Sequence, residues 1–135
     1  ELEKYIKIVQ IESRIIGELV MNQIVPVAIQ YENELINNIR GHDEIGLNVS
    51  LSESQRVLVA EISGHVNTIV KLVNEMTEAR KVANHIEDIR ERAIAYCDLV
   101  KPSFEEIRYH TDKLELIIDD KLWPLPKYRE LLFMR

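Results

Sequence analysis

The stretch Ala83-Asn84-His85-Ile86-Glu87-Asp88-Ile89-Arg90-Glu91-Arg92 decides the fold. Apolar steps of three and four residues can be threaded through Ile86 and Ile89, and no Gly or Pro interrupts them, so one reading is an unbroken helix. The other reading is a turn. Asn84-His85 can end a helix, and Asp88 with Glu91 three residues later resembles an N-terminal cap, leaving Asp88 and Arg92 spaced to pair at i,i+4. With the turn, the chain divides into three helices of matched length, each roughly 50 to 60 Å at about 1.5 Å per residue. The expected fold is then all-α, an antiparallel up-down three-helix bundle of long helices with a C-terminal Trp-Pro-x-Pro tail. Without the turn, one helix runs to about Lys101 and Pro102 opens a short third helix, leaving the ends of a long rod uncovered. The turn is favoured, which places a single helical domain over 1–135, with helices at about 2–40, 52–84 and 88–119 and a tail at 120–135.

Upstream of this stretch, Val59, Ile62, Val66, Ile69, Val70, Val73, Met76 and Val82 repeat largely at helical steps with polar residues between them, a bundle-facing stripe. Ser50 with Glu53, or Ser52 with Gln55, offers a capping box at the start of that helix. Residues 42–51 lack periodicity and read as a loop. The first helix carries Tyr5, Val9, Ile16, Leu19, Val20, Val27, Tyr31 and Leu35 on one stripe and Ile8, Ile11, Ile15, Val25, Ile29 and Ile36 on a second. Together they exceed the roughly 100° of apolar face that one side of a small bundle needs, so a further partner is implied. Pro26 is expected to remove a backbone bond and kink this helix, and Gly41 to end it in a left-handed conformation. Downstream, Ala93, Tyr96, Cys97, Val100, Phe104, Ile107, Thr111, Leu114, Ile117 and Ile118 form the inner face of the third helix, which Pro102 should bend.

Composition narrows the function classes. The 135 residues carry a formal net charge of −6 and no basic block, which argues against a nucleic-acid partner. No apolar run reaches the roughly 18 residues that a membrane span needs. The single cysteine, Cys97, has no partner for a disulfide or a metal knuckle, which favours a reducing, cytoplasmic setting. On its apolar stripe beside Tyr96 it is expected to be an inert core residue. The chain opens on Glu1, already inside a helical pattern, which points to a segment of a longer protein.

A search for chemistry finds no catalytic, cofactor-binding or metal residue to name. His42, His65, His85 and His110 are scattered; Glu61 and Glu106 precede two of them by four residues, but two ligands on one helix make a weak site unless a facing helix adds more. The plainer reading is surface or turn histidine. Neither Glu105-Glu106 nor Asp119-Asp120 converges on a substrate, because adjacent helical residues point about 100° apart. The positions three before the histidines are Ile39, Ile62, Val82 and Ile107, so no Glu-x-x-His pair of a di-metal bundle exists. Phosphate-binding loops and nucleophile elbows are absent as well.

The tail is better defined. Pro124 and Pro126 hold Trp123 and Leu125 extended, so the third helix must end before Trp123, and Pro126 can open a short helix with Tyr128, Leu131 and Leu132 on one face. These residues either close the bundle's own core or dock on a partner. The run Leu122-Trp123-Pro124-Leu125-Pro126-Lys127-Tyr128-Arg129-Glu130-Leu131-Leu132-Phe133, preceded by Phe104-Glu105-Glu106-Ile107-Arg108-Tyr109-His110, Asp112-Lys113-Leu114-Glu115 and Asp119-Asp120, resembles the end of the type III glutamine synthetases. Ile24-Val25-Pro26 with Tyr31 and Glu34-Leu35, Leu51-Ser52-Glu53-Ser54-Gln55, Ala83-Asn84, Ile86-Glu87-Asp88 and Ala95-Tyr96 extend the resemblance over essentially the whole chain.

That resemblance implies an ATP- and Mg2+-dependent parent enzyme that joins glutamate and ammonia through a γ-glutamyl phosphate and assembles as two stacked hexameric rings. It also implies that the β-grasp region and the carboxylate-lined catalytic domain lie before this segment, so no family metal, ATP or glutamate ligand falls on a position here. The expected role is a C-terminal accessory domain, structural or regulatory and catalytically inactive alone, packed on the catalytic domain of its own chain or on neighbouring subunits. The competing expectation is a stand-alone cytoplasmic helical-bundle interaction module that self-associates through the surplus stripe.

Overall fold

The computed structural model describes residues 1–127, and they form three helical rods. The first rod joins α1 (Leu2–Leu19) to α2 (Val25–Glu44) through a π turn at Val20–Ile24. The second is one unbroken helix, α3 (Glu53–Asn84), about 48 Å long at 1.5 Å per residue. The third joins α4 (Ile89–Ala95) to α5 (Pro102–Ile117) through another π turn, Tyr96–Val100.

Cross-rod hydrogen bonds fix the directions. Gln10 bonds Asn84, Ser13 bonds Arg80, Glu32 bonds Ser63 and Asn38 bonds Gln55, so position rises on one rod as it falls on the other. Asn84 meets Tyr96 while His65 meets His110, and the third rod is therefore antiparallel to the second. The decisive stretch does turn: α3 stops at Asn84, and the Asp88 carboxylate caps the next helix by accepting from Glu91 N–H at 3.0 Å. Arg92 does not reach Asp88 with its side chain as spacing proposed, because its Nε donates to the Ile86 carbonyl at 2.8 Å and so ties the turn to the helix that follows.

A seven-residue repeat builds the core. Ile62, Ile69, Met76 and Ala83 on α3, and Val100, Ile107 and Leu114 on the third rod, are each at most 1% exposed. This is the spacing of helices that wrap with a slight left-handed supercoil. On the first rod Ile6, Ser13 and Val20 follow the same step, and the next such residue, Ala28, comes one position late, across the π turn. A π turn holds one extra residue while the helix on either side keeps its face, and Val25 N–H closes it on the Val20 carbonyl. Pro26 and Pro102 stand directly after such turns, so the backbone bond each lacks falls where the ladder is already shifted.

Several expectations need correction. Gly41 lies inside α2, which runs to Glu44, and the left-handed position belongs to Gly46 with φ 77°. Neither proposed capping box forms: Ser52 is fully buried, donates to the Val49 carbonyl and accepts from Arg56 Nε, while Asn48 caps a short 3-10 turn at Val49–Ser52. Val82 is exposed and Ala83 takes its place in the core, since the repeat from Ile69 and Met76 lands on position 83. Cys97 is exposed, because Tyr96 points inward with no exposed surface and the adjacent residue is turned about 100° away. The third helix ends at Ile117 rather than 119. Beyond it Ile118 and Trp123 are buried in the core, with Leu122 and Leu125 packed against them. The short helix expected to follow Pro126, with Tyr128, Leu131 and Leu132, lies outside the described residues.

Candidate functional site

Three features of the folded chain bear on function: an exposed apolar ridge, a pair of facing histidines and a cationic notch. The ridge lies on α1, where Ile8, Ile11 and Ile15 are 54%, 48% and 59% exposed. Steps of three and four residues put them on one side of the helix, roughly opposite the side that buries Ile6, Val9 and Ser13. Ile29 and Ile36 on α2 are exposed as well, whereas Val25, the remaining member of the second stripe, is buried. The surplus apolar face of the first rod is thus left uncovered by the described residues, apart from Val25.

The histidines divide. His85 is exposed and bonds the Lys81 carbonyl at 2.6 Å, and the Nδ1 of His42 is buried without a hydrogen-bond partner among the described residues. His65 on α3 and His110 on α5 meet across the bundle with their Nδ1 atoms 2.9 Å apart. Sequence reading missed this pair because nothing along the chain links residues 65 and 110. The legible signal was phase: each histidine stands three residues after a core isoleucine, Ile62 or Ile107, at the same position of the seven-residue repeat. Burial first, then the His110 ring and Lys113, holds the His65 imidazole below its ordinary value, while Glu61 acts in the opposite direction. Tyr109 meets the His110 ring edge-on at 5.1 Å.

The facing helix therefore does add a histidine to the Glu61/His65 spacing. Among the described residues, however, no three His, Cys, Asp or Glu side chains gather to hold a metal ion. Glu105 and Glu106 are exposed, Asp119 caps the backbone N–H of Lys121, and Asp120 pairs with Lys127 at 2.7 Å. The Tyr5 hydroxyl is held above its ordinary value, first by the neighbouring Cys97 thiol and then by burial. Among the described residues no helix is long and apolar enough to cross a membrane.

The notch opens between α1 and α3, a cavity of about 250 Å³ lined by Arg14, Arg80 and their neighbours. At its wall the buried Ser13 hydroxyl donates to the Gln10 carbonyl at 2.9 Å and accepts from Arg80 Nη1 at 3.0 Å.

Comparison with known proteins places this geometry in context. The family described as glutamine synthetase C-terminal domain matches residues 1–43. A glutamine synthetase of Bacteroides fragilis is 51% identical over 138 aligned positions, covering 100% of this chain and 19% of the relative. A type-3 glutamine synthetase of Dictyostelium discoideum is 27% identical over 98% of this chain and 18% of its own length. A glutamine synthetase of Butyrivibrio fibrisolvens is also 27% identical, over 98% of the chain and 19% of the relative. The chain thus spans less than a fifth of the length of these curated relatives.

Proposed function

Because the chain belongs to the family of glutamine synthetase C-terminal domains, of the type III kind, we propose that it serves as an accessory helical domain, structural or regulatory, docked on the preceding catalytic part of a longer enzyme or on a neighbouring subunit. The observation that carries this reading is the Ile8, Ile11 and Ile15 ridge. Three large apolar side chains in one row on a charged, water-facing helix are what a docking face needs and what an isolated bundle does not. Burying each contributes roughly 1.5 to 3 kcal/mol, enough in sum to hold a domain in place.

In this proposal the parent enzyme makes glutamine from glutamate, ammonia and ATP with Mg2+, and the assembly is a homo-oligomer of stacked rings. In the same reading the metal, nucleotide and glutamate contacts of that enzyme lie outside this segment, and the chain alone carries out no chemical step. A cytoplasmic setting agrees with the exposed, unpaired thiol of Cys97.

The test is to replace Ile8, Ile11 and Ile15 together by Gln in the longer enzyme. The expected result is subunit dissociation or loss of glutamine-forming activity, while the same change in the 135-residue chain leaves its unfolding midpoint nearly unchanged. An intact, fully active assembly would overturn the docking role. Turnover by the 135-residue chain alone would overturn the proposed inactivity.

A further inference from the structure

We propose that the notch between α1 and α3 at Ser13, Arg14 and Arg80 binds a carboxylate. Arg80 is half-buried, and of its five N–H donors the structure commits one, Nη1, to Ser13. That contact is itself fixed, since the Ser13 hydroxyl is fully buried and spends its own proton on the Gln10 carbonyl. The guanidinium is therefore tethered through Nη1 at the wall of the cavity that it lines.

No carboxylate lies within 4.0 Å of Arg80 or Arg14 among the described residues. Scarcity is not the cause, because the chain has 23 acidic residues against 17 basic ones. A partly desolvated guanidinium ordinarily finds an anion, and a forked donor set matches a carboxylate best.

The lining selects the class of anion. Arg14 and Asn22 add donor-bearing side chains to the lining, and Met21, Val73 and Met76 add apolar ones. Glu18 also lines the notch and would repel a doubly charged phosphate, which leaves a singly charged carboxylate on a short apolar stem as the best match. Such a group has two sources, a free small carboxylate or an Asp or Glu side chain from the rest of the longer protein; only the second rests on the docking role proposed above.

Phenylglyoxal modification read by mass spectrometry tests this, with the exposed Arg40 as internal reference. In the 135-residue chain, sodium butyrate is expected to slow modification of Arg80 about tenfold relative to Arg40, while sodium chloride at equal ionic strength does not. Gly17→Leu should abolish that protection by filling the notch without changing its charge. A side chain starting at position 17 meets Met76 and Val73 at 3.8 Å, an ordinary contact, so this variant should fold, as circular dichroism would verify. Equal modification of Arg80 with butyrate and with chloride would overturn the proposal, as would protection that survives Gly17→Leu. In the longer enzyme, Arg80 already protected without butyrate identifies a side chain as the occupant, and Arg80 protected only with butyrate identifies a free carboxylate. The ridge substitutions report on docking independently, so failure of the notch and failure of the docking role give different results.

Discussion

His65 Nδ1 lies 2.9 Å from His110 Nδ1 across the interface of α3 and α5. At that separation one ring nitrogen donates and the other accepts, so the pair needs at least one neutral imidazole. Protonating both rings would set two donors and two positive charges against each other. His65 is held below its ordinary value of 6.5, chiefly by burial and then by His110. A histidine lowered in the folded state adds stability that is fully present above the unfolded value and is lost as pH falls through the window below it. Urea unfolding at pH 7.5 and 5.5 should show a lower midpoint at the acid end. His65→Gln should shrink that difference; an unchanged difference would remove the pair as its source.

Ile69 and Ile11 predict opposite outcomes for the same substitution. Ile69 is fully buried in the seven-residue repeat, and Ile69→Ala should destabilise the chain by about 2 to 5 kcal/mol through lost burial and a residual cavity. Ile11, 48% exposed, faces away from the core, and Ile11→Ala should change stability by about 0.5 kcal/mol or less. Chemical denaturation of the two variants is the check, and a comparable loss in both would mean that the ridge packs within the bundle.

Two glycines at the end of α2 should likewise respond in opposite directions. Gly46 has φ 77°, so Gly46→Ala should cost about 1 kcal/mol from backbone strain even though no atom lies within 4 Å of an added Cβ. Gly41 is helical and equally open, and Gly41→Ala should stabilise by about 0.4 to 1 kcal/mol. Thermal melts of the two variants should bracket the parent.

The Tyr96 hydroxyl joins all three rods: it donates to Asn84 Oδ1 at the end of α3 and accepts from Gln10 Nε2 of α1 at 2.9 Å. Tyr96→Phe should keep the ring packed and remove both bonds, costing about 1 to 3 kcal/mol. A double-mutant cycle with Asn84→Ala would show coupling of at least about 0.5 kcal/mol. Additive losses would mean that the hydroxyl is satisfied by water instead.

Much of the fold was legible because apolar periodicity reports it directly. Asp88 declared the turn through its cap chemistry even though no Gly or Pro marks it, and the exposure of Ile8, Ile11 and Ile15 followed from their being surplus to one face. What escaped needed tertiary knowledge. Gly41 follows the apolar stripe and so reads as a helix stop, yet α2 continues to Glu44 and the left-handed residue is Gly46. Tyr96 and Cys97 both fit an apolar stripe, and the placement of the Tyr96 ring decides which of them is inside. The His65–His110 contact and the Arg80 notch each join residues 45 or more apart in the chain, and a single sequence carries no record of such pairings.

The two π turns give the bundle joints where its length can be edited. Each stores one surplus residue immediately before a proline, at Val20–Ile24 and at Tyr96–Val100, while α3 runs between its ends without one. Dropping a residue inside either turn would return the rod to plain helix and leave the flanking core residues facing inward. Dropping one from the middle of α3 would swing half of Ile62, Ile69, Met76 and Ala83 out of the core. The middle helix is thus the fixed ruler of the domain, and the two outer rods are the places where a lineage can gain or lose a residue without rewriting the interior.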